Sequence, residues 1–193
     1  KLQHRQLIAH RLLRHRLHSV LAHQVLARKL LRAGGDAERW MAVLCLKNAI
    51  GRHWRVRAGA SGAVSVTAAE KASVRAALLA ALDEPSPQVA VQLAVVVARV
   101  ARLDFPREWP GFFQALMGRL QQPSAVPDGL LVQRVYLALH HVLKELASKR
   151  LAADQRVFAE VAAQLFEGVW AQWCADTSVA FEGVPAALDA AAR

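Results

Sequence analysis

Residues 87–110 read PQVAVQLAVVVARVARLDFPREWP, and this stretch decides the fold. Ala90, Leu93, Ala94, Val97 and Ala101 recur at the spacing of one α-helical face. Val89, Val91, Val95, Val96 and Val100 widen that face until little polar surface is left, so neighbours have to cover the helix on several sides. Gln92 and Arg99 interrupt the run, which is shorter than the roughly 18 apolar residues of a membrane span. Asp104 and Phe105 then lead into Pro106, which cannot continue a helix. Pro110 suits the first turn of the next one, and Trp109 and Phe112 begin a new apolar stripe. The order is inner helix, sharp turn, outer helix.

Composition agrees with this reading. The chain has 193 residues and is 54% hydrophobic, too apolar to stay disordered over most of its length. Alanine, leucine and valine dominate and there is one tyrosine, which favours helix over sheet. A formal charge of +10 permits an acidic partner, either nucleic acid or an acidic protein surface. Cys45 and Cys174 are far apart and form no CxxC pair, so they read as free buried thiols of a reducing compartment. No signal-peptide pattern or transmembrane run is visible. The chain starts without Met and stops inside an alanine-rich helical segment, 185–193, which reads as part of a longer product.

Outward from the central stretch the pattern is helical throughout. Residues 1–32 carry arginines, lysines and histidines but no acid. The histidines have no partner cysteines or carboxylates at ligand spacing, so no metal site is read there. The arginines fit a solvated helix face, a nucleic-acid contact or an import signal. Gly34 and Gly35 end this segment, and Asp36 is placed as the N-cap of the next helix. In that helix Met41, Leu44, Cys45 and Asn48 are read as one core-facing stripe, and the helix is expected to end near Gly51. Lys47 and Asn48 are then either helix-end residues or partner contacts. Thr67 and Glu70 form a capping box for a third helix. Asp83 and Glu84 fall in a turn before two prolines and read as a solvated pair. Apolar stripes follow through Phe112 and Leu116, through Leu131, Val135, Leu139, Val142 and Leu146, and from Asp154 to Trp173. His140 and His141 are adjacent and cannot share one metal.

Inner-type helices thus begin near Asp36, Gln88 and Leu130, and the second spacing matches the ~40–47 residues of a HEAT repeat. Each helix pair exposes an apolar face that only the next pair can cover. Enzyme signatures are lacking: there is no phosphate-binding glycine loop, no HExxH and no cysteine paired with a histidine in a plausible site.

Three stretches together resemble the N-terminal region of the importin-β (karyopherin) family. The first is Arg39-Trp40, Ala42-Val43-Leu44 and Leu46-Lys47-Asn48, ending in Ile50 and Trp54. The second is the apolar helix that ends in Asp104-Phe105-Pro106 and Trp109-Pro110. The third, LKELASKRLAAD at 143–154, is similar to the importin-eleven branch in particular. The resemblance spans 19–173, leaving 1–18 as an unmatched basic segment and 174–193 as the start of a further repeat. It implies an all-α, right-handed α-solenoid of HEAT-type helix pairs. It implies a nuclear transport receptor, shuttling between nucleus and cytoplasm, whose inner helices bind the GTP form of the small GTPase Ran. Cargo and nucleoporins would be held by repeats outside this stretch, with no catalysis, cofactor or metal. Lys47 and Asn48 are the Ran-facing residues it points to, with Gln88, Gln92 and Arg99 added as polar positions of the central helix. Asp104, Pro106, Trp109 and Pro110 read as structural. The alternative is a helical-repeat scaffold, or a nucleic-acid-binding solenoid using the basic N-terminal helix.

Overall fold

A computed structural model describes residues 35–55, 66–123 and 126–191. Its helices are α1 (Asp36–His53), α2 (Ala68–Ala80), α3 (Pro87–Asp104), α4 (Phe112–Gly118), α5 (Asp128–Ala147) and α6 (Ala152–Ala191). Short 3₁₀ turns extend α2 over Ala81–Asp83 and α4 over Arg119–Gln121. No strand occurs among the described residues. The chain forms an all-α solenoid of HEAT-type pairs. It divides into two compact units, the first ending at Glu145 and the second starting at Leu146.

In the first unit, polar contacts fix how the helices lie against one another. Arg39 meets Glu84, Lys47 meets Gln92, and Trp54 meets Asp104. The pairs advance together, so α1 and α3 run parallel. Arg134 of α5 reaches Glu84 and Pro85 before α3, while Arg102 near the end of α3 reaches Glu145. Hence α5 runs parallel as well. Against this row α2 is antiparallel, since Lys71 and Arg75 in it meet Glu108 and Asp104 at the far end of α3, while its own end leads through Ala81–Asp83 to the start of α3. Arg119 after α4 reaches the carbonyl of Leu79 near the end of α2, which sets α4 beside α2 in a second row.

The core lies between the rows. Val89, Leu93, Val96, Val97 and Val100 of α3 are buried, and Val97 is fully so, as its place in the stripe requires. Each buried Val or Leu contributes about 1.5–3 kcal/mol. Val43, Leu46 and Ile50 of α1, Val74 and Leu78 of α2, Phe112 and Leu116 of α4, and Val135 and Val142 of α5 complete it.

Local chemistry sets the helix ends. Thr67 caps α2 with the reciprocal box expected: Glu70 N–H donates to Thr67 Oγ1 at 3.3 Å and Thr67 N–H to Glu70 Oε2 at 2.7 Å. Pro87 occupies the first turn of α3, where its missing N–H leaves no bond unmade. Three expectations are corrected. Gly35, not Asp36, is the N-cap of α1, and Asp36 pairs with Arg39 at 2.6 Å inside the first turn. Pro110 lies in the turn before α4, which begins only at Phe112. The turn at Asp83 and Glu84 is not solvated, because Glu84 is buried.

Glu84 is one of two polar clamps, one at each end of α3. Its carboxylate accepts from Arg39 Nε at 2.9 Å and Nη2 at 3.0 Å, and also from Ser86 N–H at 2.9 Å. That bonding holds the Arg39 guanidinium in its charged form more firmly than usual, against the opposing effect of burial. Arg134 donates to the Glu84 and Pro85 carbonyls, and Arg119 pairs with Asp83. At the other end Asp104 accepts from Trp54 Nε1 at 2.8 Å and from Arg75 Nε at 2.8 Å. Arg75 also donates to the Glu108 carbonyl and lies over the Trp109 ring. Lys71 pairs with Glu108 at 2.9 Å. The DFPREWP turn is therefore bound to α1 through Asp104 and to α2 through Asp104, Glu108 and Trp109. Trp54 is the fully buried tryptophan, and Trp109 is half-buried against Phe112.

In the second unit α6 is a long helix. Phe166, Trp170 and Trp173 stack along one exposed side, with centroids 6.0 and 5.0 Å apart. The basic segment 1–32 and most of the small-residue loop, 56–65, lie outside the described residues.

Candidate protein-binding face

The parallel row has one side turned from the core. On α1 its positions are Met41, Cys45, Asn48 and Arg52, all exposed. This stripe was expected to face the core. The buried residues are instead Ala42, Val43, Leu46 and Ile50, because both stripes have helical spacing and Val, Leu and Ile fill the core better than Met, Cys and Asn. Met41 is 59% exposed, and Cys45 is an exposed free thiol rather than a buried one. On α3 the corresponding positions are Gln88, Val91, Gln92, Val95 and Arg99.

Of the five sequence-picked residues, Lys47, Gln92 and Arg99 meet the neighbouring helix along the seam between α1 and α3, and Asn48 and Gln88 lie on the exposed sides of their own helices. Lys47 is half-buried between α1 and α3 and donates from Nζ to Gln92 Oε1 at 2.9 Å. Its stem lies on packed surface while its charge stays at the edge. Six residues of helix follow Lys47, so neither it nor Asn48 closes α1, and the helix-end reading of the pair is excluded. Asn48 and Gln88 are exposed. Arg99 is exposed, and its guanidinium packs over Gly51 of α1. Arg99 and Arg52 make no ion pair or hydrogen bond among the described residues. By contrast, Arg55 donates to the Leu103 carbonyl, and Arg102 pairs with Glu145 at 3.4 Å.

The face is thus graded. Toward the start of the helices it is apolar and amide-rich, with Met41, Cys45, Val91 and Gln88; toward their ends it is cationic, with Lys47, Arg52 and Arg99. Arg52, Met41 and Val91 were not picked out in the sequence, although the spacing of 41, 45, 48 and 52 carried the signal. On α5 the His140 and His141 rings meet edge to face at 5.5 Å; burial, then the neighbouring His140 and Lys144, holds His141 below the usual histidine range. Among the described residues no cluster of His, Cys, Asp or Glu could hold a metal. Nor is any described helix long and apolar enough to cross a membrane.

This arrangement suits recognition of a protein surface, and comparison with known proteins gives it a context. Residues 29–84 match the importin-beta N-terminal domain. That match spans α1, α2 and the Glu84 clamp. The chain is 39% identical over 153 residues to mouse Importin-11 and 38% identical to its human counterpart, covering 79% of this chain and 15% of each relative. It belongs to the importin-β family. A further importin-β relative, the importin beta-like protein kap113 of Schizosaccharomyces pombe, is 34% identical over 66% of this chain and 12% of its own length. Among solved structures, the yeast nuclear transport receptor Lph2 superposes with a TM-score of 0.61 at 30% identity, over 71% of this chain and 13% of Lph2. This importin-β chain therefore spans about 15% of the length of the Importin-11 proteins it matches.

Proposed function

We propose that this chain is a Ran-binding stretch of a nuclear transport receptor, taking the GTP form of Ran on the exposed side of α1 and α3. The observation that carries the reading is the seam where Lys47 is bonded to Gln92 and Arg99 is packed on Gly51, with exposed Met41 and Val91 earlier on the same two helices. Interfaces between proteins favour arginine and methionine in this way. Unpaired cations give such a face an acidic partner and a fast, selective encounter. The match to an importin-beta N-terminal domain and the importin relatives support Ran as that partner. Transport by binding needs no catalytic group. Cargo and nucleoporins would engage other repeats, and the receptor would shuttle between cytoplasm and nucleus.

The test is a titration of the chain with Ran loaded with a non-hydrolysable GTP analogue and, separately, with GDP. Binding selective for the GTP state is expected, and equal affinity for the two states would overturn the reading. The competing nucleic-acid reading rests on the basic segment 1–32, and a steep salt dependence of oligonucleotide binding would favour it.

A further inference from the structure

Gly51 sits inside α1, two residues before its end, with an ordinary helical backbone and no turn to make. Glycine at such a position costs about 0.5–1 kcal/mol relative to alanine. What it provides is space. A Cβ built there would lie 3.2 Å from Nη2 and 3.4 Å from Cζ of Arg99. The guanidinium therefore rests on the bare backbone of α1 across the seam, and its N–H groups have no acceptor among the described residues. The contrast with Arg39, Arg75, Arg119 and Arg134 is sharp, since each of those has a carboxylate or carbonyl oxygen.

We infer that Gly51 is a seat that fixes Arg99 as a forked cation for a carboxylate of the partner. The inference rests on the proposed function and deepens it, naming Arg99 as a specificity-determining contact and Gly51 as its positioning residue. A guanidinium held flat has lost much of its freedom before binding, so less is lost on forming a two-pronged bond to a carboxylate. A phosphate could accept the same fork. Lys47 and Arg52 share this end of the face, and the match of residues 29–84, Gly51 among them, to an importin-beta N-terminal domain favours a protein carboxylate as the acceptor.

The experiment compares Arg99→Gln, Arg99→Lys, Gly51→Ala and Gly51→Leu for binding to GTP-form Ran, with thermal unfolding of each. Arg99→Gln should weaken binding roughly tenfold. Arg99→Lys should lose about as much, since it keeps the charge but not the fork. Gly51→Ala displaces the guanidinium by a few tenths of an ångström and should weaken binding about twofold to threefold. Its Tm should rise by about 2 °C, because alanine is the better helix former. Opposite movement of affinity and stability is a signature that a merely structural glycine would not give. Gly51→Leu fills the seat and should match Arg99→Gln, and the two together should do no more harm than Arg99→Gln alone. Unchanged binding by Gly51→Leu, or full additivity of the two losses, would overturn the seat.

Absence of any Ran binding by the unsubstituted chain would remove the partner reading alone. The seat is then read with a glutamate-rich peptide and a single-stranded oligonucleotide as probes. Peptide binding lost equally in Gly51→Leu and Arg99→Gln supports it. No peptide binding, or that dependence shown by the oligonucleotide instead, overturns it.

Discussion

The arginines of the first unit fall into two groups. Arg39, Arg75, Arg119 and Arg134 lie largely buried at the two ends of α3, each bonded to a carboxylate or a carbonyl. Arg52 on α1 and Arg99 on α3 stand exposed without such partners among the described residues. The same side chain does opposite work. In the clamps its donors are satisfied internally, so removing an acceptor strands a buried charge. On the seam its donors face solvent, so removing the arginine costs the fold little and a partner much.

The largest expected effect tests the clamps. Asp104→Ala leaves the Trp54 N–H without its acceptor and takes the buried carboxylate from Arg75, and Glu84→Ala takes the buried carboxylate from Arg39. Each should cost about 3–5 kcal/mol, measured by denaturant unfolding. A loss below about 1 kcal/mol would place these arginines in the same class as Arg99. Trp109→Ala should cost less, about 2 kcal/mol, because the ring is half-buried and shared between Phe112 and Arg75. Lys47→Ala should change stability by no more than about 0.5 kcal/mol, as for a surface substitution, while lowering affinity for GTP-form Ran. A substantial stability loss there would move Lys47 from the seam to the clamps.

The smallest effect is in pH. The Lys71 ammonium, and behind it Arg75 and Arg55, hold the Glu108 carboxyl below its usual range. A folded-state pKa below the unfolded one means that the contribution is present above the unfolded value and lost as pH falls through the folded one. Glu108 is about half exposed, so solvent screens the pair and the contribution is small. Glu108→Gln should flatten the acid limb of the stability curve slightly, and an unchanged limb would show that Lys71 does not need this partner.

Much of this was legible beforehand because it rests on periodicity. The burial of Val97, the Thr67–Glu70 box and the order of inner and outer helices all follow from side-chain spacing. The solvent side of α1 did not follow. Met41, Cys45 and Asn48 are spaced for one helical face just as Val43, Leu46 and Ile50 are, and only the packed neighbours decide which stripe is covered. The Glu84 clamp was hidden for a related reason. A carboxylate pair before prolines looks solvated until three arginines, distant in the chain, are brought to it from α1, α5 and the turn after α4. Lys47, Gln92 and Arg99 could be picked as polar residues, but their pairing and the seat at Gly51 arise only when α1 and α3 lie side by side.

The five tryptophans give the molecule a built-in optical readout. Trp54 is sealed in the first unit, with Trp40 and Trp109 half-covered, whereas Trp170 and Trp173 lie open on α6 in the second. Indole emission shifts to longer wavelength as water reaches the ring. The blue edge of the fluorescence spectrum therefore belongs to the first unit and the red edge to the second. On gradual denaturation the blue edge follows the loosening of the Asp104 clamp, while quenching by iodide at the red edge follows α6 from the start.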